Sequence, residues 1–281
     1  MHLLRSYIET IERLLSEGTP ASLTHAALEC RLAIEMICHE RLRNVHDYLS
    51  HDDIRTWRPR DVVMQLISEV DDKTAETLTI SVCREAPESY DATGYGKLPW
   101  TPLGSQIGFE PKRLGELWNA LSNVALHTKL PRAKSDQVAR YGDSAKIKEK
   151  VTEALAEFTR IAQGNLIWSG LGTVVSFTCR CGTRNTRRAG LLTDGQVVSC
   201  INPACDESYG CELQGDGIAF GRRTLTLPCA CESGIEIPRR SAEKLKTTEH
   251  MQASCGTCGT RVLVQWRLMQ AKVSDEAEAA E

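Results

Sequence analysis

The chain has 281 residues, a formal net charge of −3, 41% hydrophobic residues and 25% charged residues. This balance is typical of a soluble protein with one large domain or two modest ones. No apolar run approaches the roughly 20 residues of a membrane span. The first fifteen residues also lack the apolar region and cleavage site of a secretory signal. The sequence therefore predicts a cytoplasmic protein without a membrane partner.

Residues 1–163 show a mostly helical pattern. The first predicted helix carries its apolar residues on one face, at Leu4, Tyr7, Ile8, Ile11, Leu14 and Leu15. Gly18 is expected to end this helix, and the pair Thr19 and Pro20 to begin the long helix that follows. A third helix is predicted to begin at Pro59.

Residues 71–110 interrupt the helical pattern. They contain one alternating, strand-like run, ETLTISV, and a stretch rich in glycine and proline. We expect an irregular insertion or a long loop here. The helical pattern resumes at Pro111 and stops before Pro131, and a last helix is predicted from an Asp or Ser cap to Gly164.

The composition changes after a linker at about residue 165. Residues 172–270 contain short strand-like runs, and residues 271–281 form an acidic tail that is predicted to be disordered. The predicted fold class is therefore α+β, with an all-α helical bundle over residues 1–163 followed by small β modules.

Nine of the twelve cysteines follow residue 178, and eight of these form an internal repeat. A Cys-x-Cys pair is followed by Cys-x4-Cys within residues 172–221, and by Cys-x2-Cys within residues 222–270. Such pairs form tight knuckles, and a hairpin brings two knuckles around one Zn²⁺. The sequence predicts tandem zinc ribbons with two structural zinc ions, held by Cys179, Cys181, Cys200, Cys205, Cys229, Cys231, Cys255 and Cys258.

The residues around these cysteines favour a structural role for the metal. Gly182, Gly256 and Gly259 stand where a knuckle needs a positive φ or room for amides directed at sulfur. Four sulfurs in each site, with only His250 nearby, leave no open position for a catalytic water. Modules of this size also need the metal in order to fold.

Other assignments of the cysteines stay open. Iron or an iron–sulfur cluster is the alternative metal assignment, and disulfides are a third, which a reducing cytoplasm disfavours. Cys211 is a spare cysteine that could replace Cys205 as a ligand. Cys30, Cys38 and Cys83 stand apart on apolar stretches and are predicted to be core residues.

Basic residues near the cysteine pairs are candidate nucleic-acid contacts, because clustered cations favour phosphate. The candidates are Arg184, Arg187, Arg188, Arg239 and Arg240. The alternative is charge balance, since each four-thiolate zinc site carries a net charge of −2. Binding of nucleic acid or protein and plain scaffolding both stay open for the ribbons.

Two helical runs, ALECRLAIEMICHERL and LGELWNALSNVALHTKLP, resemble the HEPN family of helical proteins over residues 20–160. Arg31 and Glu35 match the arginine and glutamate of the family's early helix, and Asn123 and His127 match its Asn-x-x-x-His pattern. The resemblance implies a homodimer of bacterial defence or toxin type that cleaves RNA without a metal. Histidine would be the general acid or base, and arginine would stabilise the phosphate.

The chain departs from the family's Arg-Asn-x-x-x-His pattern, because Ser122 stands at the arginine position. Three interpretations of His127 stay open. It is a remnant in an inactive domain, a catalytic residue that uses an arginine such as Arg113 or one from a partner subunit, or a histidine favoured by a helix dipole. Arg41 and His46 match a looser form of the motif.

The sequence leaves two functions of different classes open. The first is an RNA-associated protein, with His127 and Asn123 as catalytic residues and the ribbons as substrate or partner contacts. The second is a non-catalytic dimeric adaptor whose ribbons bind a protein partner or a DNA-processing complex.

Overall fold

The computed structural model describes residues 2–44, 48, 54, 58–127, 131, 133–134, 139–167, 172–215 and 217–267. His46 and the acidic tail 271–281 lie outside the described residues. Tertiary contacts divide the chain into two compact units, Met1–Val175 with Thr186–Leu192, and Ser176–Asn185 with Thr193–Glu281. We call the first the helical unit and the second the cysteine unit. Helices together with small antiparallel sheets confirm the predicted mixture of α and β structure.

The helical unit contains six α-helices, one π-helical turn and one strand pair among its described residues before residue 168. The helices are α1 (His2–Glu17), α2 (Pro20–Asn44), α3 (Pro59–Glu69), α4 (Ala92–Gly96), α5 (Pro111–Leu121) and α6 (Ser144–Ile161). The π-helical turn is Ser122–Leu126, and the strands are β1 (Leu78–Val82) and β2 (Thr101–Gln106).

Helix α2 lies at the centre of the helical unit. It contacts α1, α3, α5, α6 and the π-helical turn. Its buried residues recur at helical spacing from Ser22 to Arg41 and form one broad face, whereas Leu28 and Leu32 on the other side are exposed. Ala26, Ala27 and Ala33 are fully buried, and their small side chains let the adjacent helices approach closely.

Local signals set the ends of the helices as the sequence predicts. Gly18 has φ 65° after α1, a conformation that glycine adopts without strain. Thr19 caps α2, because its Oγ1 accepts a hydrogen bond from the backbone N–H of Ser22 at 3.1 Å. Asp143 caps α6 by accepting from the backbone amides of Ala145 and Lys146.

The helix that begins at Pro111 differs from its predicted form. The sequence predicts an α-helix that stops before Pro131, but α5 ends at Leu121 and widens into the π-helical turn. Ser122 is buried, and its hydroxyl donates to the carbonyl of Trp118 at 2.8 Å. Such back-bonding by serine competes with the helical ladder and bends helices.

The insertion at 71–110 forms a strand pair and a short helix. Strands β1 and β2 are antiparallel, with a register shift between Ile80 and Ser81. Gln106 is fully buried and donates to the carbonyls of Lys73, Thr74 and Glu76. It therefore links the end of β2 to the segment that precedes β1. The segment is therefore more ordered than the long loop that its composition indicates.

The isolated cysteines divide into two groups. Cys30 and Cys38 are buried on α2, which confirms the prediction that they are core residues. Burial raises the pKa of Cys38 to about 12 and also raises the pKa of Cys30. Cys83 is only half-buried after β1, so it does not belong to the core. It follows the partly exposed strand β1 rather than a helix face.

The remaining strands lie in antiparallel hairpins. They are β3 (Val174–Thr178) with β4 (Arg184–Arg188), then β5 (Val197–Ser199), β6 (Ser208–Gln214) and β7 (Gly217–Arg222) in one three-stranded sheet, β8 (Thr224–Pro228) with β9 (Gly234–Pro238), and β10 (Met251–Ser254) with β11 (Arg261–Val264). A short helix, α7 (Arg239–Lys244), follows β9. None of the described helices has the length and apolar character needed to cross a membrane.

Candidate functional site

Two clusters of four cysteines form where hairpin turns meet. We call Cys179, Cys181, Cys200 and Cys205 the first cluster, and Cys229, Cys231, Cys255 and Cys258 the second cluster. Within each cluster, all four sulfur atoms lie within 4.8 Å of one another. One Cys-x-Cys pair is in the turn between β3 and β4 and the other in the turn between β8 and β9, so the repeat in sequence is a repeat in structure.

The spacing of the sulfurs fits a single tetrahedral metal ion in each cluster. Four sulfurs at about 2.3 Å from a common ion lie about 3.8 Å from one another. The Sγ–Sγ distances are 3.7 Å for Cys179 and Cys205, and 3.7 Å for Cys181 and Cys200. In the second cluster, Cys229 lies 3.5 Å from Cys258. The residues present therefore could hold two metal ions, one in each cluster.

These distances also bear on the alternative assignments. A disulfide needs an S–S distance of about 2.05 Å, and all twelve cysteines are free thiols. Cys211 is buried on β6 and pairs there in register with Phe220. It does not join the first cluster, whose fourth member is Cys205.

Positive φ angles close three of the knuckle turns. Gly182 has φ 87° and donates its backbone N–H to the carbonyl of Cys179 at 2.8 Å. Gly259 has φ 73° and donates in the same way to Cys255. Gly256 is not in the left-handed region, contrary to one of the two roles expected for it. Glu232 occupies the position equivalent to Gly182, with φ 64°, and is the only non-glycine residue with positive φ in the described chain.

Three Ser and Thr hydroxyl groups lie within hydrogen-bonding distance of cluster sulfurs, and the sequence analysis did not predict this role for them. Thr183 Oγ1 lies 3.3 Å from Cys181 Sγ, and Thr260 Oγ1 lies 3.1 Å from Cys258 Sγ. Ser233 Oγ lies 2.8 Å from Cys231 Sγ and 3.1 Å from Cys255 Sγ. Such hydroxyls can donate to the thiolates that a metal requires. The available signal was a Ser or Thr two residues after the second cysteine of three of the four pairs.

The hydroxyls alter the pKa of the thiols that they contact. The hydrogen bond between Cys181 and Thr183 lowers the pKa of Cys181 to about 6, and the one between Cys255 and Ser233 lowers the pKa of Cys255 to about 5. Thr260 lowers the pKa of Cys258 in the same direction. Burial raises the pKa of Cys200. Each cluster thus contains at least one thiol predisposed to be a thiolate, the form that binds metals.

Asn185 ties together the two halves of the first cluster. Its side chain is fully buried, and its Oδ1 accepts a hydrogen bond from the backbone N–H of Ile201 at 2.8 Å. Its Nδ2 donates to the carbonyl of Thr183 at 3.0 Å and lies 3.8 Å from Cys200 Sγ. The Asn185 side chain therefore holds the turn with Cys179 and Cys181 close to the start of the turn that carries Cys200 and Cys205.

Three aromatic rings pack against the first cluster. Phe177 packs against Tyr209 and Phe220, with ring centroids 4.6 Å and 4.4 Å apart, and these rings pack with Cys179, Cys200 and Cys205. No comparable aromatic cluster accompanies the second cluster within residues 217–267 as described. Cys179 and Cys200 are buried, whereas Cys231 and Cys258 are exposed. The two clusters therefore differ in protection from solvent.

The five candidate nucleic-acid contacts do not form one exposed surface. On β4, Arg184 is exposed and donates to Ser176 Oγ at 3.1 Å, whereas Arg187 is 5% exposed. Arg187 lies an odd number of residues from Arg184, so the alternation of the strand turns it to the other face. Arg188 is half-buried, donates to the carbonyl of Gly172 at 3.2 Å and lies 5.1 Å from the ring of Tyr48.

The two candidates on α7 also differ. Arg239 is exposed and forms an ion pair with Glu243 at 3.0 Å, whereas Arg240 is only 8% exposed. Of the five arginines, only Arg184 and Arg239 therefore present exposed side chains.

Carboxylates pair with most of the cations of the cysteine unit. Arg222 on β7 donates to both oxygens of Glu207 at 2.7 and 2.8 Å and also to Glu236 on β9. Arg180, inside the first knuckle, lies 3.5 Å from the same Glu236. Further pairs are Lys244–Asp206, Arg223–Glu243 and Lys246–Glu249. These ion pairs join the parts of the unit that carry the two clusters.

The candidate catalytic residues lie at the end of the π-helical turn. Asn123 and His127 are both exposed. The backbone N–H of His127 donates to the carbonyl of Ser122 at 3.1 Å, which closes the wide turn, and His127 itself is extended, with φ −108° and ψ 123°. π-Helical turns occur often at functional sites.

A cleft of about 540 Å³ opens beside His127 within the helical unit. Arg140 and Tyr141 line the same cleft, and the Arg140 guanidinium lies 5.2 Å from the Tyr141 ring. A Cβ on Gly142 would lie 1.9 Å from the carbonyl oxygen of Val124, so this segment can approach the π-helical turn only with glycine. Sequence reasoning missed Arg140, which no motif spacing connects to His127.

The other residues that matched the helical family have structural partners. The Arg31 guanidinium lies 4.0 Å from the Trp118 ring and 3.8 Å from Glu35, which accepts a hydrogen bond from Trp118 Nε1 at 2.9 Å. These contacts pack α2 against α5. Arg41 is buried and hydrogen-bonded to Gln106, so it is not placed to contact a substrate. Its pKa is lowered to about 10 by burial.

Comparisons with known proteins add no family assignment. No protein-family model, curated protein or solved structure matches this chain.

Proposed function

We propose that residues 172–267 fold as tandem zinc ribbons around two structural Zn²⁺ ions and act as a docking module for a protein partner. The observation that carries the metal assignment is the convergence of four sulfurs in each cluster at separations of 3.5–3.7 Å between neighbouring atoms. Four thiolates complete the coordination of Zn²⁺ and leave no position for water, which favours a structural ion over a catalytic one. When bound, the ion supplies cross-links that hold the hairpins together.

Charge favours a protein partner over nucleic acid for this module. Residues 172–267 contain twelve Arg and Lys against nine Asp and Glu. Two four-thiolate zinc sites add a formal charge of −2 each, which brings the formal charge of the loaded module to about −1. Phosphate binding needs unpaired cations, whereas the cations here are largely paired with carboxylates.

Apolar side chains supply the contact area that a protein partner needs. Leu263 on β11 is 66% exposed, and Trp266 after it is 48% exposed. Trp266 is held in place, because its Nε1 donates to the carbonyl of Ala242 at 2.6 Å. An aromatic ring that is already fixed, three residues along the chain from an exposed leucine, costs little entropy on binding, which suits a protein interface.

The test combines metal analysis with binding. We expect two zinc per chain, and no binding of single-stranded RNA or duplex DNA that weakens steeply with salt. A partner recovered with the wild-type chain should be lost with Leu263→Asp, while zinc content stays at two. Lys246→Glu, which changes charge without removing apolar area, is the matched control. Zinc content near zero, or salt-dependent binding of nucleic acid, contradicts the proposal.

A second candidate function concerns the helical unit, which we propose as a HEPN-like domain that cleaves RNA without a metal. The observation that favours it is that Arg140 lines the cleft beside His127. This arginine takes the place of the one that the motif lacks at Ser122. His127 would act as general acid or base, with Asn123 beside it, and Arg140 would stabilise the phosphate, as a bacterial defence or toxin ribonuclease requires.

The ribonuclease test uses RNA in the presence of a chelator too weak to remove the zinc. We expect cleavage that His127→Ala and Arg140→Ala both abolish. His25→Ala, on an exposed position of α2, should retain it. If the wild-type chain leaves every RNA intact, the helical unit is not a ribonuclease, and the docking function of the cysteine unit is unaffected.

We also propose that the chain forms a homodimer through its helical unit. Leu3, Leu28 and Leu32 are exposed on α1 and α2, at 57%, 41% and 39%. Leu3 and Leu32 line one shallow groove with Tyr7 and Met36. Sedimentation should give a dimer that Leu32→Glu converts to a monomer. A wild-type monomer at all concentrations contradicts this proposal.

A further inference from the structure

The second cluster is more exposed to solvent than the first, although Cys255 is buried in it. Cys231 and Cys258 are both exposed, and Cys229 is half-buried. In the first cluster only Cys181 is exposed, while Cys179 and Cys200 are buried behind the rings of the aromatic cluster. Because oxidants reach thiolates through solvent, the two clusters differ in access although they share the same four ligand types.

Neighbouring sulfurs of the second cluster lie close enough to react with one another. Cys229 and Cys258 are separated by 3.5 Å, and one of them, Cys258, faces solvent. Cys231 lies 3.6 Å from Cys229, so Cys229 has an exposed thiol on either side of it. A movement of about 1.5 Å would bring Cys229 and Cys258 to disulfide distance.

We propose that the second cluster is a peroxide-responsive thiol switch, in which Cys258 is oxidised first and Cys229 resolves it to a disulfide. The inference rests on the proposed binding of zinc by both clusters. The first cluster remains loaded under the same conditions and keeps its part of the module folded. The switch would release the hairpin β10–β11, which carries Leu263, and so would break the proposed docking surface.

The reaction balances with hydrogen peroxide as the oxidant. The Cys258 thiolate attacks one peroxide oxygen, the O–O bond breaks, and hydroxide leaves as water after protonation. The product is a sulfenic acid on Cys258. The Cys229 thiolate then attacks Cys258 Sγ, the S–S bond forms, and hydroxide again leaves as water. Two thiolates, one peroxide and two protons thus give one disulfide and two water molecules, and the zinc ion loses two of its four ligands.

The test follows zinc release from the loaded, full-length chain with a chromogenic zinc indicator. We expect peroxide to release one zinc per chain at least about tenfold faster than the second. Peptide mapping by mass spectrometry should then show a disulfide between Cys229 and Cys258, and a dithiol reductant with added zinc should restore a content of two. Release of both ions at one rate, or of the first cluster's ion first, overturns the inference.

Two variants keep the result interpretable. Cys258→His retains four ligands, with an imidazole in place of the exposed sulfur, and should hold zinc in the second cluster against peroxide. Cys83→Ser removes a half-buried thiol outside both clusters and should leave the release rates unchanged. If Cys258→His loses zinc as fast as the wild type, the assigned sulfur is wrong. If the untreated chain contains no zinc, the proposed function itself fails, which is a separate outcome.

Discussion

The guanidinium of Arg41 donates a hydrogen bond to the side-chain oxygen of Gln106, and both residues lie in the interior of the helical unit. Arg41 also donates to the carbonyl of Ile107 at 3.3 Å and lies 5.6 Å from the ring of Phe109. The pair joins the last turns of α2 to the end of β2. A buried cation keeps its charge only where such acceptors surround it.

Replacement of Gln106 by Ala should therefore destabilise the helical unit. The change leaves Arg41 without its side-chain acceptor and removes the side-chain donor to the carbonyls of Lys73, Thr74 and Glu76, and the expected loss is about 2–4 kcal/mol. Urea unfolding followed by far-ultraviolet circular dichroism measures it. Arg43→Ala, on an exposed position of the same helix, should change stability by less than about 0.5 kcal/mol. Equal losses of unfolding free energy for the two substitutions would show that the buried Arg41–Gln106 hydrogen bond does not stabilise the helical unit.

Removal of the metal should unfold the cysteine unit selectively. The strands around the two clusters bury few large side chains, whereas the helical unit has its own extensive core. With a strong chelator we expect backbone amides of β8–β11 to lose protection from hydrogen exchange, while those of α2 keep it. The same chelator saturated with zinc is the control. Unchanged protection of β8–β11 would argue against a structural metal.

Glu232 and Gly182 form a matched pair at equivalent knuckle positions. Glu232→Gly should stabilise the second module by about 1 kcal/mol, because a side chain at φ 64° is strained and glycine is not. Gly182→Ala should destabilise the first module by a similar amount. An added Cβ there meets no atom within 4 Å, so its effect comes from the backbone alone. Competition with a zinc chelator measures both, and opposite signs are the expected result.

Thiol labelling should separate the cysteines by burial. Cys30 and Cys38 have raised pKa values because they are buried, so their thiolate fraction stays very small even at mildly alkaline pH. We expect an alkylating reagent to modify Cys83 in the folded, metal-loaded chain, and Cys30 and Cys38 only after addition of denaturant. Mass spectrometry of the labelled peptides checks this. Labelling of Cys38 before unfolding would contradict the packing of α2.

Gly142→Ala should disturb the cleft beside His127. The added Cβ would lie 1.9 Å from a backbone carbonyl, so the segment must move, and we expect a loss of more than about 2 kcal/mol. Gly96→Ala on α4 meets no atom within 4 Å and should be nearly neutral. Thermal unfolding compares the two. A stable Gly142→Ala variant would mean that the segment does not pack against the π-helical turn.

Features that depend on neighbours in sequence could be predicted without the structure. Gly18, Thr19 and Pro20 predict where α1 ends and α2 begins, because their conformational preferences act within a few residues. The spacing of the cysteine pairs likewise predicts two clusters of four, since a knuckle is a local turn and the repeat supplies two of each kind. The helix from Pro111 could be predicted only up to Leu121, where the contact of Gly142 with Val124 and the hydroxyl of Ser122 intervene.

By itself, the sequence determined most of the helical segments, the division of eight cysteines into two groups of four, and the mixture of α and β structure. Periodicity and spacing are local properties of the chain. Only the tertiary structure decided that Arg187 and Arg240 are buried, that Arg41 meets Gln106, and that Arg140 lies beside the cleft of His127. These relationships join residues that are far apart in sequence or on opposite faces of one strand. Burial and charge pairing depend on what packs against a side chain, and the pattern around a single residue does not contain that information.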